Sequence, residues 1–255
     1  MGAKQRLDKL LGHLGYGTRS EIKKFVKDGR VFVNGQRAKD SGMQIDPERD
    51  TVAFDEKTVQ YREFVYIMLH KPAGVVSATE DTRDRTVVDL LSAEHAAFKP
   101  FPVGRLDKDT EGLLLLTNDG QLAHKLLSPK KHVPKTYYAD IAGLVTEADG
   151  EAFARGVELD DGYVTLPAKL RILEAEPNGE GGARSRIELT IVEGKFHQVK
   201  RMFEAVGKKV TYLKRLSMGS LVLDESLPKG ASRELTEAEL ESLRMAPGET
   251  GQPKK

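Results

Sequence analysis

Leucines at positions 7, 10, 11 and 14 stand at i, i+3, i+4 and i+7, a spacing that puts all four side chains on one face of a helix. Thr18 and Glu21 then form the pattern in which a hydroxyl and a carboxylate satisfy the orphan N–H groups of a second helix start. That helix buries Ile22, Phe25 and Val26 and ends at Gly29, which adopts a left-handed cap at little steric cost. Alternation follows, and RVFV-NG-QRA predicts a hairpin around a type I′ turn at Asn34-Gly35. After the acidic stretch SGMQIDPERD, a strand near 51–54 closes this module. The boundary falls near residue 60, giving one domain over 1–59 and another over 60–246.

In the second domain short strands outnumber helices. FVYIML reads as a buried strand ended by the turn HKPAG, and Thr86 to about Ala93 reads as a helix. GLLLLT is a central strand, Asn118-Asp119-Gly120 a turn and QLAHKLL a helix. KTYYADI has strand composition, with Tyr137, Ala139 and Ile141 on one face. YVTLP, KLRIL and RIELTIV are further strands, and Val199, Met202, Phe203 and Val206 mark another helical stripe. Thr236 and Glu239 cap a last helix, with Leu235 and Leu240 placed as a hydrophobic staple. PGETGQPKK, residues 247–255, reads as a disordered tail. Without a regular βαβ rhythm, the fold class is α+β with a mixed, mostly antiparallel sheet.

Composition narrows the class. With 255 residues, 39% hydrophobic and 31% charged, the chain suits a globular protein. Its longest apolar runs fall far short of the roughly 20 residues needed to span a bilayer, and the polar start lacks the apolar segment of a secretory signal. Absence of cysteine excludes disulfides and thiolate metal sites. A cytoplasmic location and a monomer are the expectations.

The net charge of +1 conceals strong asymmetry. Residues 1–39 carry ten Lys/Arg against three acids, and residues 193–217 carry seven against two. Arg6, Arg19, Lys23, Lys24, Lys27 and Arg30 make the first module a candidate phosphate-binding surface.

Chemistry concentrates in three segments. In VGRLDKDTEGLLLLTNDG, Asp107, Asp109, Glu111 and Gly112 match the opening of a calcium loop. Asn118 stands where that loop needs a bidentate Glu, and a strand follows where a helix should, so no metal is expected. Asp109 and Glu111 suit solvated loop charges paired with lysines. Asp107, next to Leu106 and the leucine strand, is partly desolvated and needs a cationic partner or a raised pKa. That setting suits a catalytic carboxylate and a structural ion pair equally. In EGKFHQVKRMFEAVG, His197, Lys200 and Arg201 gather where a loop enters a helix, as a phosphate site or as the partner of Asp107. Lys200 flanks the apolar stripe while Arg201 points away from it. In KTYYADI the tyrosines are either core or, for Tyr137, a ring suited to stacking on a base.

HKPAGVVSATED, GRLDKDTEGLLLLTNDG, KTYYADI and EGKFHQVKRMFEAVG, in this order, resemble the motifs of bacterial ribosomal-RNA pseudouridine synthases. The branch is typified by the small-subunit enzyme RsuA and its large-subunit relatives. The N-terminal module resembles the alpha-L RNA-binding domain first described in a small-subunit ribosomal protein. The resemblance runs over roughly residues 5–245. It implies that Asp107 is the catalytic aspartate, that Arg105 fills the gap left in the RNA stack, and that Tyr137 lies beside the uracil ring. Lys200 matches the basic partner of the aspartate, a position where many relatives have arginine. Lysine cannot make the bidentate fork, so Lys200 and Arg201 both stand as candidates. His197 and Arg201 would otherwise serve RNA binding.

The implied reaction isomerises a uridine of ribosomal RNA, 16S in the first instance and 23S in the alternative, without redox change or phosphate transfer. No cofactor is therefore expected. A non-catalytic rRNA-binding assembly factor would bind RNA without changing it. A metal-dependent phosphodiesterase built on Asp107, Asp109 and Glu111 would lose activity with a chelator.

Overall fold

The computed structural model describes residues 4–177 and 182–245, and the expected tail at 247–255 lies outside them. Two compact units make up the described chain. One runs to Val65 and takes in Leu91–Pro100, and the other comprises Tyr66–Leu90 and the chain from Phe101 on.

In the first unit β1 (Gln5–Arg6) leads into α1 (Leu7–His13), and α2 (Arg19–Lys27) follows. Leu7, Leu10, Leu11 and Ile22 are buried between them. Thr18 Oγ1 accepts from Glu21 N at 3.3 Å and the Glu21 carboxylate accepts from Thr18 N at 2.7 Å, so the expected capping box is complete. β2 (Val31–Val33) and β3 (Gln36–Arg37) form the hairpin, whose Asn34 and Gly35 both take positive φ (51° and 75°), as a type I′ turn requires. β4 (Gln44–Ile45) pairs with β1, while β5 (Val52–Phe54) and β6 (Lys57–Thr58) extend the hairpin into a four-stranded sheet. The helix expected from Thr86 to Ala93 differs. Val88–Leu90 is a single 3₁₀ turn, and α3 (Ala93–Ala97) starts afresh after Ser92, whose hydroxyl accepts from His95 N at 3.2 Å. The change from one unit to the other falls between the two pieces.

A nine-stranded sheet forms the second unit. It contains β7 (Tyr66–Lys71), β8 (Phe101–Pro102), β9 (Glu111–Thr117), β10 (Lys135–Ala142), β11 (Lys169–Pro177), β12 (Ala183–Ile191), β13 (Lys209–Met218), β14 (Leu221–Val222) and β15 (Ser232–Glu234). Their order is β11-β12-β10-β13-β9-β7-β15, with β14 against β13 and β8 against β9. Every pairing is antiparallel except β9 with β13, so the expected mixed, mostly antiparallel sheet is what forms.

All seven residues of β9 are buried. Each of its four leucines contributes about 1.5–3 kcal/mol through burial, which makes this strand the rigid base of the loop before it. One core packs α4 (Gly120–Leu127) and α7 (Glu237–Arg244) against β9 and β14 through Leu113, Leu115, Leu126, Leu221 and Leu243. α6 (Gln198–Ala205) packs Met202 and Phe203 inward.

Besides several strands of two or three residues, pattern reading passes over two long elements. α5 (Glu147–Arg155) buries only Phe153 among its apolar side chains, leaving almost no periodic signal. β13 carries lysines and an arginine among its apolar residues and has no clean alternation. YVTLP, expected as a strand, contributes one isolated bridge, Val164 to Glu158.

Candidate active site

The aspartate loop is built by its neighbours. Gly104 turns at φ 77° after Val103, and Thr110 N closes the loop on Asp107 O at 3.0 Å. Ser77 clasps Leu106 from both sides: its hydroxyl donates to Leu106 O at 2.9 Å and accepts from Leu106 N at 3.1 Å. Lys71, at the end of β7, is fully buried, and its ammonium lies within hydrogen-bonding distance of four carbonyls: Pro72 (3.0 Å), Asp107 (3.1 Å), Lys108 (3.3 Å) and Thr110 (2.9 Å). Burial pushes this ammonium down to about 8, opposed by the charges of Asp109, Asp107 and Glu111. Lys71 and Ser77 lie in the HKPAGVVSATED segment, but residue pattern alone does not single them out. A lysine ending a largely apolar strand is the one signal the sequence offers.

Asp107 itself faces the start of α6. Lys200 Nζ lies 3.1 Å from Asp107 Oδ2 and 2.7 Å from Asp109 Oδ1, so one ammonium bridges two carboxylates. Burial works against the charge on Lys200, but the hydrogen bonds to Asp109 and Asp107 outweigh it and raise its pKa. The hydrogen bond from Lys200 in turn holds Asp109 below the usual carboxylate range. His197 Nε2 lies 3.6 Å from Asp107 Oδ1.

Arg201, the other candidate partner, goes elsewhere. Its guanidinium pairs with Asp160 and with Asp161, the latter at 2.7 Å, and is mostly buried there rather than facing solvent. The helical wheel turns Arg201 away from the apolar stripe, but the loop it meets is not legible in the sequence. Glu111 also departs from expectation. It opens β9 rather than lying in the loop, is buried, and bonds Tyr212 Oη at 2.6 Å and Lys229 Nζ at 2.6 Å. Burial would raise Glu111, and these two partners bring it below its ordinary value. Two of the three carboxylates, Asp107 and Asp109, therefore share Lys200, while Glu111 goes to Tyr212 and Lys229.

Next to Asp107 opens a cavity of about 330 Å³. Arg105 and Asp107 stand on one side, Tyr137 and Lys135 of β10 on another, and Tyr163, Glu193, His197 and Gln198 line the rest. Tyr137 is buried, and Arg105 is exposed. Lys135 is pushed down to about 8 by burial and by the nearby Arg215. Arg215, on β13, is buried; its Nε donates to Leu113 O at 2.8 Å. Its Nη2 and the Thr110 hydroxyl have no hydrogen-bond partner among the described residues, and both residues line the cavity. Sequence reasoning misses both Lys135 and Arg215. Lys135 opens β10 and Arg215 stands beside Lys214 in a lysine-bearing strand, so neither is set apart from the charges around it.

Basic residues of the other unit occupy three settings. Arg19, Lys23, Lys24 and Lys27 are exposed on α2. Arg6 is held by Asp8. Arg30 pairs with Asp55 and lies over the rings of Phe25 (4.6 Å) and Phe54 (4.8 Å).

Residues 65–205 match the family model described as RNA pseudouridylate synthase, and residues 5–51 match the S4 domain. The chain is 55% identical over 238 residues to an uncharacterized RNA pseudouridine synthase, YtzG, of Bacillus subtilis, covering 93% of this chain and 98% of that one. It is 41% identical to ribosomal small subunit pseudouridine synthase A of Haemophilus influenzae (93% and 99% covered). It is 39% identical to ribosomal large subunit pseudouridine synthase B of Bacillus subtilis (94% and 96% covered). A crystal structure of a pseudouridylate synthase, 40% identical, superposes with a TM-score of 0.64 over 94% of this chain and 99% of that one.

Proposed function

Because the chain belongs to the RNA pseudouridylate synthase family, whose members are isomerases of RNA, we propose that it converts a specific uridine of 16S ribosomal RNA to pseudouridine with Asp107 as its catalytic carboxylate. The observation that carries this reading is Lys200 holding Asp107 beside a cavity that Tyr137 also lines. The reaction breaks the bond from ribose C1′ to uracil N1, turns the base and joins C1′ to C5. The proton on C5 leaves and N1 is protonated, so atoms and electrons balance within the nucleotide. An ionised carboxylate attacks the ribose or stabilises its cationic character, and the ammonium of Lys200, 3.1 Å away, holds that carboxylate in position. Tyr137 walls the uracil ring, and the cavity retains the freed base.

The target nucleotide leaves its helix at a cost of a few kcal/mol, which Arg105, exposed at the lip, offsets by entering the stack. Arg19, Lys23, Lys24 and Lys27 hold RNA phosphates through the S4 domain. His197 adds a further RNA contact, and Arg201 shapes the 160–161 loop. On this reading the protein works on ribosomal RNA in the cytoplasm, as a monomer.

Similarity to small-subunit enzymes supports the 16S choice, and the large-subunit relative makes 23S the alternative. Asp107→Ala should abolish pseudouridine formation while leaving RNA affinity within about twofold. Residual turnover by this variant would sink the catalytic assignment. Pseudouridine mapping in rRNA from cells with and without the protein identifies the subunit, and an unchanged map with intact RNA binding would favour the assembly factor.

A further inference from the structure

We infer that Phe196 is a stacking platform for a base next to the target uridine, and so a specificity-determining residue of the site; this rests on the RNA-modifying function proposed above. Phe196 is the most exposed aromatic side chain among the described residues, at 72%. Water is a poor environment for a phenyl face.

The turn is rigid by construction. The Glu193 carboxylate accepts from Tyr163 Oη (2.6 Å), Leu166 N (2.9 Å) and Gln198 Nε2 (2.8 Å). Buried Gln198 in turn accepts from Lys195 N at 2.9 Å, and Arg201 Nη1 donates to Phe196 O at 3.3 Å. His197 takes a left-handed conformation (φ 49°), which folds its ring back onto Phe196. The two rings stack with centroids 3.7 Å apart and planes 21° apart. One face of Phe196 is thus covered by His197, which lies 3.6 Å from Asp107.

Its exposure leaves the remaining ring surface available, on the same turn as the exposed Lys195. An aromatic face beside cationic side chains is how proteins hold unstacked bases. When the target uridine turns into the cavity next to Asp107, its neighbour loses a stacking partner, and Phe196 supplies a replacement at the rim. Arg105 fills the vacated position inside the helix, whereas Phe196 meets a base outside it.

The test uses the full-length protein with 16S and 23S rRNA, and ribosomal particles, from cells lacking it. Mapping the nucleotide modified by wild type defines a stem-loop substrate, in which 2-aminopurine then replaces each neighbour of the target in turn. Phe196→Ala and Phe196→Leu should each raise KM about tenfold, the loss expected for one base–aromatic stack, with kcat within twofold. Phe196→Tyr and Phe196→Trp should restore KM. Wild type should quench 2-aminopurine at one neighbour, and Phe196→Leu should not. A wild-type KM in Phe196→Leu would overturn the inference, since leucine keeps apolar packing on His197 but has no ring to stack. So would a fall in kcat at unchanged KM, which would make Phe196 a support for His197. Wild type modifying none of these RNAs would overturn the functional reading itself.

Discussion

Lys200 shows how one side chain can set the state of a site. It bridges Asp107 and Asp109 at 3.1 and 2.7 Å, and its own charge survives partial burial because two carboxylates share it. Lys135 is the opposite case: burial and Arg215 push its ammonium down to about 8 with little to compensate. Below that value the cavity holds an extra cation, and above it the lysine is neutral. If that cation holds RNA, kcat/KM should fall as pH rises through about 8. Lys135→Arg, which stays charged, should move this alkaline limb upward by more than one pH unit. Lys71 also titrates at about 8, so a limb that stays in place in Lys135→Arg would assign it to the lysine beneath the aspartate loop. A pH–rate profile of the two proteins decides this.

At the scale of elements, the contact between β9 and β13 joins the aspartate strand to the strand bearing Arg215. It is the one parallel pairing of the sheet and involves only Glu111 and Gly112 opposite Lys214 and Arg215. Gly112 takes φ 105°, and a Cβ placed there would lie 2.2 Å from Arg215 O, a backbone atom that cannot swing aside. Gly112→Ala must therefore separate the strands and adopt a strained φ. It should cost about 2–3 kcal/mol of stability, measurable by urea denaturation, and should reduce turnover by displacing both Asp107 and Arg215. The glycine in TEGLLLL is easily taken for an ordinary turn residue before the leucines. Its constraint comes from a strand about one hundred residues away.

For the whole molecule, the division into units shapes how the basic module can be tested. Leu91–Pro100 belongs to the same unit as the N-terminal module, so cutting the chain near residue 59 would strip that segment of its neighbours. Replacing Arg19, Lys23, Lys24 and Lys27 with glutamine keeps the fold and removes only charge, since all four are exposed. RNA affinity should fall at low salt, and the slope of log K against log salt should flatten by about 0.7–0.9 for each phosphate that is no longer neutralised. An unchanged slope would show that these side chains do not meet phosphate. Asp107→Ala, in contrast, should leave the slope as it is.

Local signals carry much of this protein. The leucine stripe of α1, the capping boxes at Thr18 and Thr236, the Asn34-Gly35 turn and the leucine run of β9 each depend on neighbours within a few residues. Propensity, capping and turn chemistry act over that distance, so these elements are legible in the sequence by itself. The motifs around Asp107, Tyr137 and Lys200 are legible because residue type and spacing together are distinctive. Tertiary structure decides which charges meet. It gives Asp107 to Lys200 and Asp160 and Asp161 to Arg201, buries Glu111 against Tyr212, and encloses the Lys71 ammonium among four carbonyls. Each of these pairings except Lys71 with Pro72 spans tens of residues of chain. The desolvation that sets their strength exists only once the sheet has brought those segments together.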